Sequence, residues 1–405
     1  MARRQRYRGR GKLRRALTVI LALTGVLLVL GVVLFTALPN YLVYTADGGV
    51  YLDIPFLNRW REATDSPKPE GSPSSETRTP SPEPSQTPDP TPSPTPKSEL
   101  PIHALYVPIN VLKDESALTQ LGEQLSRSGA DALVLEFKAE DGFLAYSSSL
   151  PLAMQAQVSS DSDAAVDFIR KCNADGIYVV ARIACFKNTA LSEVHITASI
   201  KTQGGSNWLE NTNVRWLDPY KQEACDYLLG LLSEVAGFGV DEILLDWVTF
   251  PTSGRQSAIS FGAFTDVPRY EAIEAFVKKT GDAVASSGVT ISMVLNEETC
   301  LNGTDEIGGQ RLSALSPMVD RFYVPVPLSD ETGSAFELLT NGLVPNLSQS
   351  VWPAKLVPML SVENETDADT LQTALDAAGG QLGLGWLLEN DQAVYPALAE
   401  SFKRH

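Results

Sequence analysis

DEILLDWVTFP, residues 241–251, sets an acid inside an apolar run and closes on a proline. Ile243, Leu244, Leu245 and Val248 give the run the character of a strand buried in a parallel sheet. Asp246 then occupies a core position. A buried ionised carboxylate is costly unless it is paired, so the chain has to supply either a partner or a chemical task.

Seven further runs of the same kind follow Leu100. Together the eight are ALYVPIN (104–110), ALVLEFK (132–138), YVVARIAC (178–185), EILLDWV (242–248), TISMVLN (290–296), DRFYVPVP (320–327), KLVPMLSV (355–362) and GLGWLLE (383–389). Helical patterns such as ESALTQLGEQLSRSG and YEAIEAFVKKTGDAVASSG lie between them, several closed by a glycine where a helix takes its C-terminal cap. Alternation of this kind predicts a parallel sheet, and eight units over residues 100–405 fit an α/β fold of the (β/α)8 barrel type. No G-x-G-x-x-G turn follows the first run to argue for a doubly wound dinucleotide-binding sheet.

In such a barrel the functional end is the C-terminal end of the strands, and side chains alternate in and out. Leu244, Asp246 and Val248 share one face; Val180, Arg182 and Ala184 share another; Glu136 is expected to share a third with Lys138. If these faces point inward, Glu136, Arg182 and Asp246 meet on three adjacent strands. Such a cluster is either a satisfied ionic layer or an acid/base site with its orienting partner.

The chain before the barrel is of different material. Residues 1–15 carry eight Arg or Lys and no acid, and residues 16–38 carry no charge. That run is long enough to cross a bilayer as a helix, with the basic tail on the cytoplasmic side. A cleaved signal peptide is the alternative, but no A-x-A-like site follows. Residues 39–62 read as a membrane-proximal segment with no independent fold. Residues 63–99 hold eleven of the 26 prolines and read as a disordered Pro/Ser/Thr-rich stalk. The expected location is therefore the cell membrane, single-pass, with the barrel outside the cytoplasm.

The net charge of −17 becomes more negative once the basic tail is set aside, which argues against nucleic acid and anionic wall polymers as partners. Neutral or weakly charged glycans remain open. Four cysteines lack C-x-x-C spacing and only three histidines exist, so the sequence calls for no metal ion and no cofactor.

Four ordered blocks carry a family resemblance: ALVLEFKAEDG (132–142), GIYVVARIACFKN (176–188), the stretch RWLDPY through DEILLDWVTFP (215–251), and GWLLENDQAVY (385–395). They are similar to the V-I-D-x-K-D-D-x-G, I-A-R-I-x-x-F-K-D, W-x-N-P-Y and D-E-I-x-x-D-Y-V-R-F-P patterns of an uncharacterised bacterial family of glycosyl hydrolase domains in the TIM-barrel superfamily. The resemblance covers nearly all of residues 101–405. It implies glycoside hydrolysis and marks Glu136, Lys138, Asp141, Arg182, Lys187, Trp216, Tyr220 and Asp246 as site residues. The departures lie near the mouth: Thr249 replaces Arg, Trp247 replaces Tyr, Val294 stands where Asp is usual, and Glu389 stands where Trp is common.

Glycoside hydrolysis requires two carboxylates about the scissile bond. Asp246 is the expected nucleophile or base, with Arg182 as its counter-charge. The second acid is expected from a strand end: Glu297, on the strand beside Asp246, is preferred, with Glu363 and Glu389 as alternatives. Trp208 and Trp216 in the long loop after the third strand, with Trp247, are candidates to stack on sugar rings. The expected partners are a polysaccharide substrate and, through the N-terminal helix, the membrane. A barrel that binds glycan without hydrolysis is the competing reading.

Overall fold

The computed structural model describes residues 42–44, 50–52, 101–326 apart from 129 and 212, 355–363, 369, 371 and 385–393. The expected membrane span, residues 16–38, and the stalk, 63–99, lie outside the described residues. Among the described residues no helix is long and apolar enough to cross a membrane. The chain divides into two compact units, residues 1–90 and 91–405. In the first, Leu42–Tyr44 pairs antiparallel with Val50–Leu52, a ribbon too small to be stable alone in water.

The second unit is a closed ring of eight parallel strands: β1 Ile102–Val107, β2 Ala132–Lys138, β3 Tyr178–Ala184, β4 Glu242–Asp246, β5 Thr290–Val294, β6 Arg321–Val326, β7 Leu356–Ser361 and β8 Gly385–Glu389. They pair in chain order, and β8 closes the ring on β1. All eight expected runs are strands, and the differences are at their ends. β1 stops before Pro108, which has no N–H for the ladder and instead precedes a helical turn at Ile109–Leu112. β4 stops at Asp246 because Trp247 adopts φ +50°, a left-handed conformation that costs a bulky residue energy. Closure also depends on Gly385, at φ +90°, because a Cβ there would lie 1.8 Å from the carbonyl oxygen of its ladder neighbour Ile102.

Among the described residues, four long helices cover the outside: α1 Glu115–Ser128, α2 Ala164–Ala174, α3 Gln222–Ala236 and α4 Arg269–Val284. Asp114 caps the first by accepting from the N–H groups of Ser116 and Ala117 at 2.8 and 3.2 Å. On α3 the buried residues Ala224, Leu228, Leu231, Leu232 and Val235 recur at helical spacing and form the stripe that meets the sheet.

Inside the ring, Ala104, Val134, Val180, Leu244, Val357 and Leu387 form a separate apolar core. Since Leu244 is an inward residue, Glu242 and Asp246 are inward too, one at each end of β4. At the lower end Glu242 and Arg321, both fully buried, form a 2.7 Å ion pair, and Tyr178 and Tyr323 each donate a hydroxyl to Glu242 at 3.0 Å. The core is thus capped below by a satisfied polar layer. The four cysteines are all buried free thiols.

Candidate active site

At the upper end of the ring the inward positions are charged. Arg182 on β3 stands beside Glu136 on β2, its register partner. Its Nε and Nη2 approach Oδ2 of Asp246 at 2.8 and 2.6 Å, and its Nη1 reaches Oε1 of Glu389 at 2.5 Å. The strands carrying these carboxylates, β4 and β8, face each other across an eight-membered ring, so one guanidinium joins opposite walls. Burial opposes the charge on Arg182, but Asp246 and Glu389 outweigh it and its pKa is raised.

The three groups are held individually. Asp246 is 5% exposed, and its Oδ1 accepts the N–H of Trp247 at 2.7 Å, a bond that the left-handed turn at Trp247 makes. Burial pushes the pKa of Glu389 up, and Arg182 only partly offsets this. Glu136 accepts the N–H of Ile109 at 2.9 Å and the hydroxyl of Tyr106, whose own pKa burial raises. The Tyr106 ring lies 5.1 Å from the Arg182 guanidinium carbon. Above them opens a cleft of about 720 Å³, lined by Glu136, Glu140, Arg182, Glu363 and Glu389 with Asp391 at its rim, within the range of ligand pockets.

Other sequence-marked residues lie elsewhere. Glu297 is exposed at the start of a short helix, in a separate recess of about 700 Å³ with Thr252 and Glu306, and the structure does not bring it to Asp246. Trp208 and Trp216 are each 2% exposed, with indole N–H groups bonded to the Arg255 carbonyl and to Glu210, so neither offers an open ring face. Tyr220 joins a cluster with Phe250, Phe261 and Phe264 and donates to the Val267 carbonyl. Asp141 is exposed and turns the chain by accepting from Phe143. Thr249 is buried in a network with Asn296 and Gly308.

Lys187 and Trp247 do flank the site. Lys187 sits 3.9 Å from the centre of a Trp247 ring and pairs with Glu140 at 2.5 Å, while Trp247 donates to the same Glu140 at 2.9 Å. Glu140 and Tyr106 were not marked by the sequence patterns. Their signal was the adjacency of Glu140 to Asp141 and the place of Tyr106 near the end of the first run.

Lys138 departs from the alternation expected of it. A bulge follows Glu136, so Lys138 pairs with outward Ile183 and no longer shares the inner face. Fully buried, it donates to the carbonyls of Ala139, Ala184 and Lys187. Burial pushes its ammonium down to about 8 from the usual 10.5. The unfolded chain therefore binds more protons between those two pH values, and stability rises with pH through that window. Melting curves of wild type and Lys138→Met should show the wild type gaining on the variant as pH rises from about 8 toward 10. A difference independent of pH would remove the buried ammonium from this account.

No curated protein matches the chain in sequence. Among solved structures, the PgaB (BpsB) glycoside hydrolase domain from Bordetella bronchiseptica is similar in fold, with a TM-score of 0.57 and 11% identity over 72% of this chain and 95% of that one. A hypothetical protein from Ruminiclostridium thermocellum shares 25% identity over 47% of this chain and 96% of that one, at a TM-score of 0.43. Residues 104–325, more than half of the chain, match the family described as "Putative glycosyl hydrolase domain", and the chain belongs to that family.

Proposed function

We propose that the barrel hydrolyses glycosidic bonds in an envelope or extracellular polysaccharide, with Asp246 and Glu389 as its two carboxylates. The observation that carries this reading is their convergence on Arg182 from opposite strands at the floor of the cleft. Asp246, oriented by the guanidinium and by the Trp247 N–H, serves as nucleophile or base. Burial pushes the pKa of Glu389 up, the direction a general acid needs, and with Oε1 against Arg182 its Oε2 is the oxygen left to serve a leaving group. Glu136 and Tyr106 brace Arg182 from β2 and β1.

The location belongs to the same proposal. Residues 16–38 hold the chain in the membrane behind its basic tail, and the stalk carries the barrel into the space where such polymers lie.

The test is release of reducing ends from a polysaccharide panel by the full chain, with Glu389→Gln in parallel. The variant should release sugar roughly 10²–10⁴-fold more slowly and lose the alkaline limb of the pH profile that a general acid imposes. A variant as active as wild type would remove Glu389 from the chemistry. A second reading is supported by the full pairing of both carboxylates with Arg182: a barrel that binds glycan without cutting it. Retention of polysaccharide with no release by wild type would favour that reading.

A further inference from the structure

We propose that Glu140 is a positioning residue for Asp246 and acts on it through the side chain of Trp247. This rests on the assignment of Asp246 to the chemistry of the cleft and names the residue that sets it in place.

Among the described residues two groups hold the Asp246 carboxylate. Both nitrogens that Arg182 offers it, Nε at 2.8 Å and Nη2 at 2.6 Å, meet the same oxygen, Oδ2. A contact through one oxygen leaves the carboxylate free to swing about that oxygen. The Trp247 N–H, 2.7 Å from Oδ1, stops the swing. The direction in which Asp246 presents its charge therefore depends on where the backbone of Trp247 stands.

That backbone stands at φ +50°, which a bulky residue keeps only when its surroundings hold it there. The main chain supplies part of the hold: the carbonyls of Asp246 and Trp247 accept the N–H groups of Cys185 and Phe186 at 2.8 and 3.1 Å. The rest falls on the indole. Oε1 of Glu140 accepts its N–H at 2.9 Å, the Lys187 ammonium lies 3.9 Å from the centre of a ring, and Trp216 meets it edge-on with 5.7 Å between ring centres. Lys187 is in turn paired with Oε2 of Glu140 at 2.5 Å. Each oxygen of Glu140 thus serves the indole or the cation above it, although its side chain lines the cleft.

The base of this clamp is fixed as well. Lys138, fully buried, donates to the carbonyls of Ala139 and Lys187 at 3.3 Å each, so one ammonium ties the chain beside Glu140 to the chain at Lys187. These contacts knit the ends of β2, β3 and β4 together, and the carboxylate of Asp246 is the last link. A reacting group displaced by a fraction of its own size loses a large factor in rate, so Glu140 governs kcat through the indole.

The test uses the full chain with isotope-labelled tryptophan, read by nuclear magnetic resonance, together with steady-state sugar release. Glu140→Ala should move the indole N–H signal of Trp247, which Glu140 touches, and also the backbone N–H signal of Trp247, which it does not. Lys187→Met, which takes the cation off the ring, should move the same pair, and Trp247→Phe, which removes both signals, assigns them. Glu140→Ala and Trp247→Phe should each lower kcat roughly 10- to 100-fold, and Trp247→Phe should leave KM within about twofold, since its ring is not part of the cleft lining. The double variant should be no slower than the slower single one, because both cut the same link. A backbone signal that stays in place while the indole signal moves would overturn the inference, and sugar release by the wild type would then leave the hydrolase reading standing. Losses in kcat that multiply in the double variant would overturn it too, since Glu140 would then act independently of Trp247. A backbone signal that moves in a protein whose wild type releases no sugar would support the clamp and defeat hydrolysis.

Discussion

Asp246→Asn is expected to lower sugar release roughly 10²–10⁴-fold while leaving the fold in place. The substitution keeps one oxygen, enough for the guanidinium, and gives up the bond from the Trp247 N–H, a loss of about 1–3 kcal/mol that a barrel of this size can carry. What it removes is the charge that, in the proposed chemistry, attacks the sugar carbon or takes a proton from water. Arg182 still has Glu389 within 2.5 Å, so no uncompensated cation is left behind. Steady-state release and the thermal midpoint, read on the same preparation, separate the outcomes. A large loss of activity with a small change in midpoint identifies a reacting group. A collapsed midpoint with the specific activity of the remaining folded protein unchanged would make Asp246 a purely structural partner.

The largest stability effect is expected at the other end of β4. Arg321→Met leaves Glu242 fully buried with two tyrosine hydroxyls and no cation, and removal of one partner of a buried pair costs roughly 3–5 kcal/mol. For a domain of this size that corresponds to a fall of roughly 10 °C in the midpoint. Combining it with Glu242→Leu should recover most of the loss, because the unpaired charge and not the missing contact carries the penalty. A midpoint shift of only one or two degrees for the single variant, measured by calorimetry on the full chain, would show that water reaches Glu242. Activity of the folded fraction should be unaffected, since the apolar core of the ring separates this pair from the cleft.

The two ends of β4 also show what the sequence could disclose. The alternation of apolar runs with helical patterns was enough for all eight strands, because each run is long and clean. Parity within a strand placed Arg182 beside Asp246, since β3 and β4 run without interruption. The same argument misplaced Lys138, because a bulge adds a residue and reverses the alternation, and ALVLEFK carries no glycine or other local mark of one. Glu389 was legible only as one of three strand-end acids. Its meeting with Asp246 depends on ring closure between residues 207 positions apart from Arg182 to Glu389, and no local pattern encodes that. Glu242 opens its run with no local mark of burial, and its partners come from β3 and β6. Trp208 and Trp216 stand in a long loop whose sequence does not say how it packs, and in the fold both are buried.

The order in which the ring is completed has its own consequence. Among the described residues β8 is the last strand, and it supplies Glu389, while Asp246 and Arg182 lie well upstream. A nascent chain ending anywhere before β8 holds one carboxylate of the pair and lacks the other. The proposed chemistry is thus silent until β8 docks, and the barrel becomes competent only when its ring is closed.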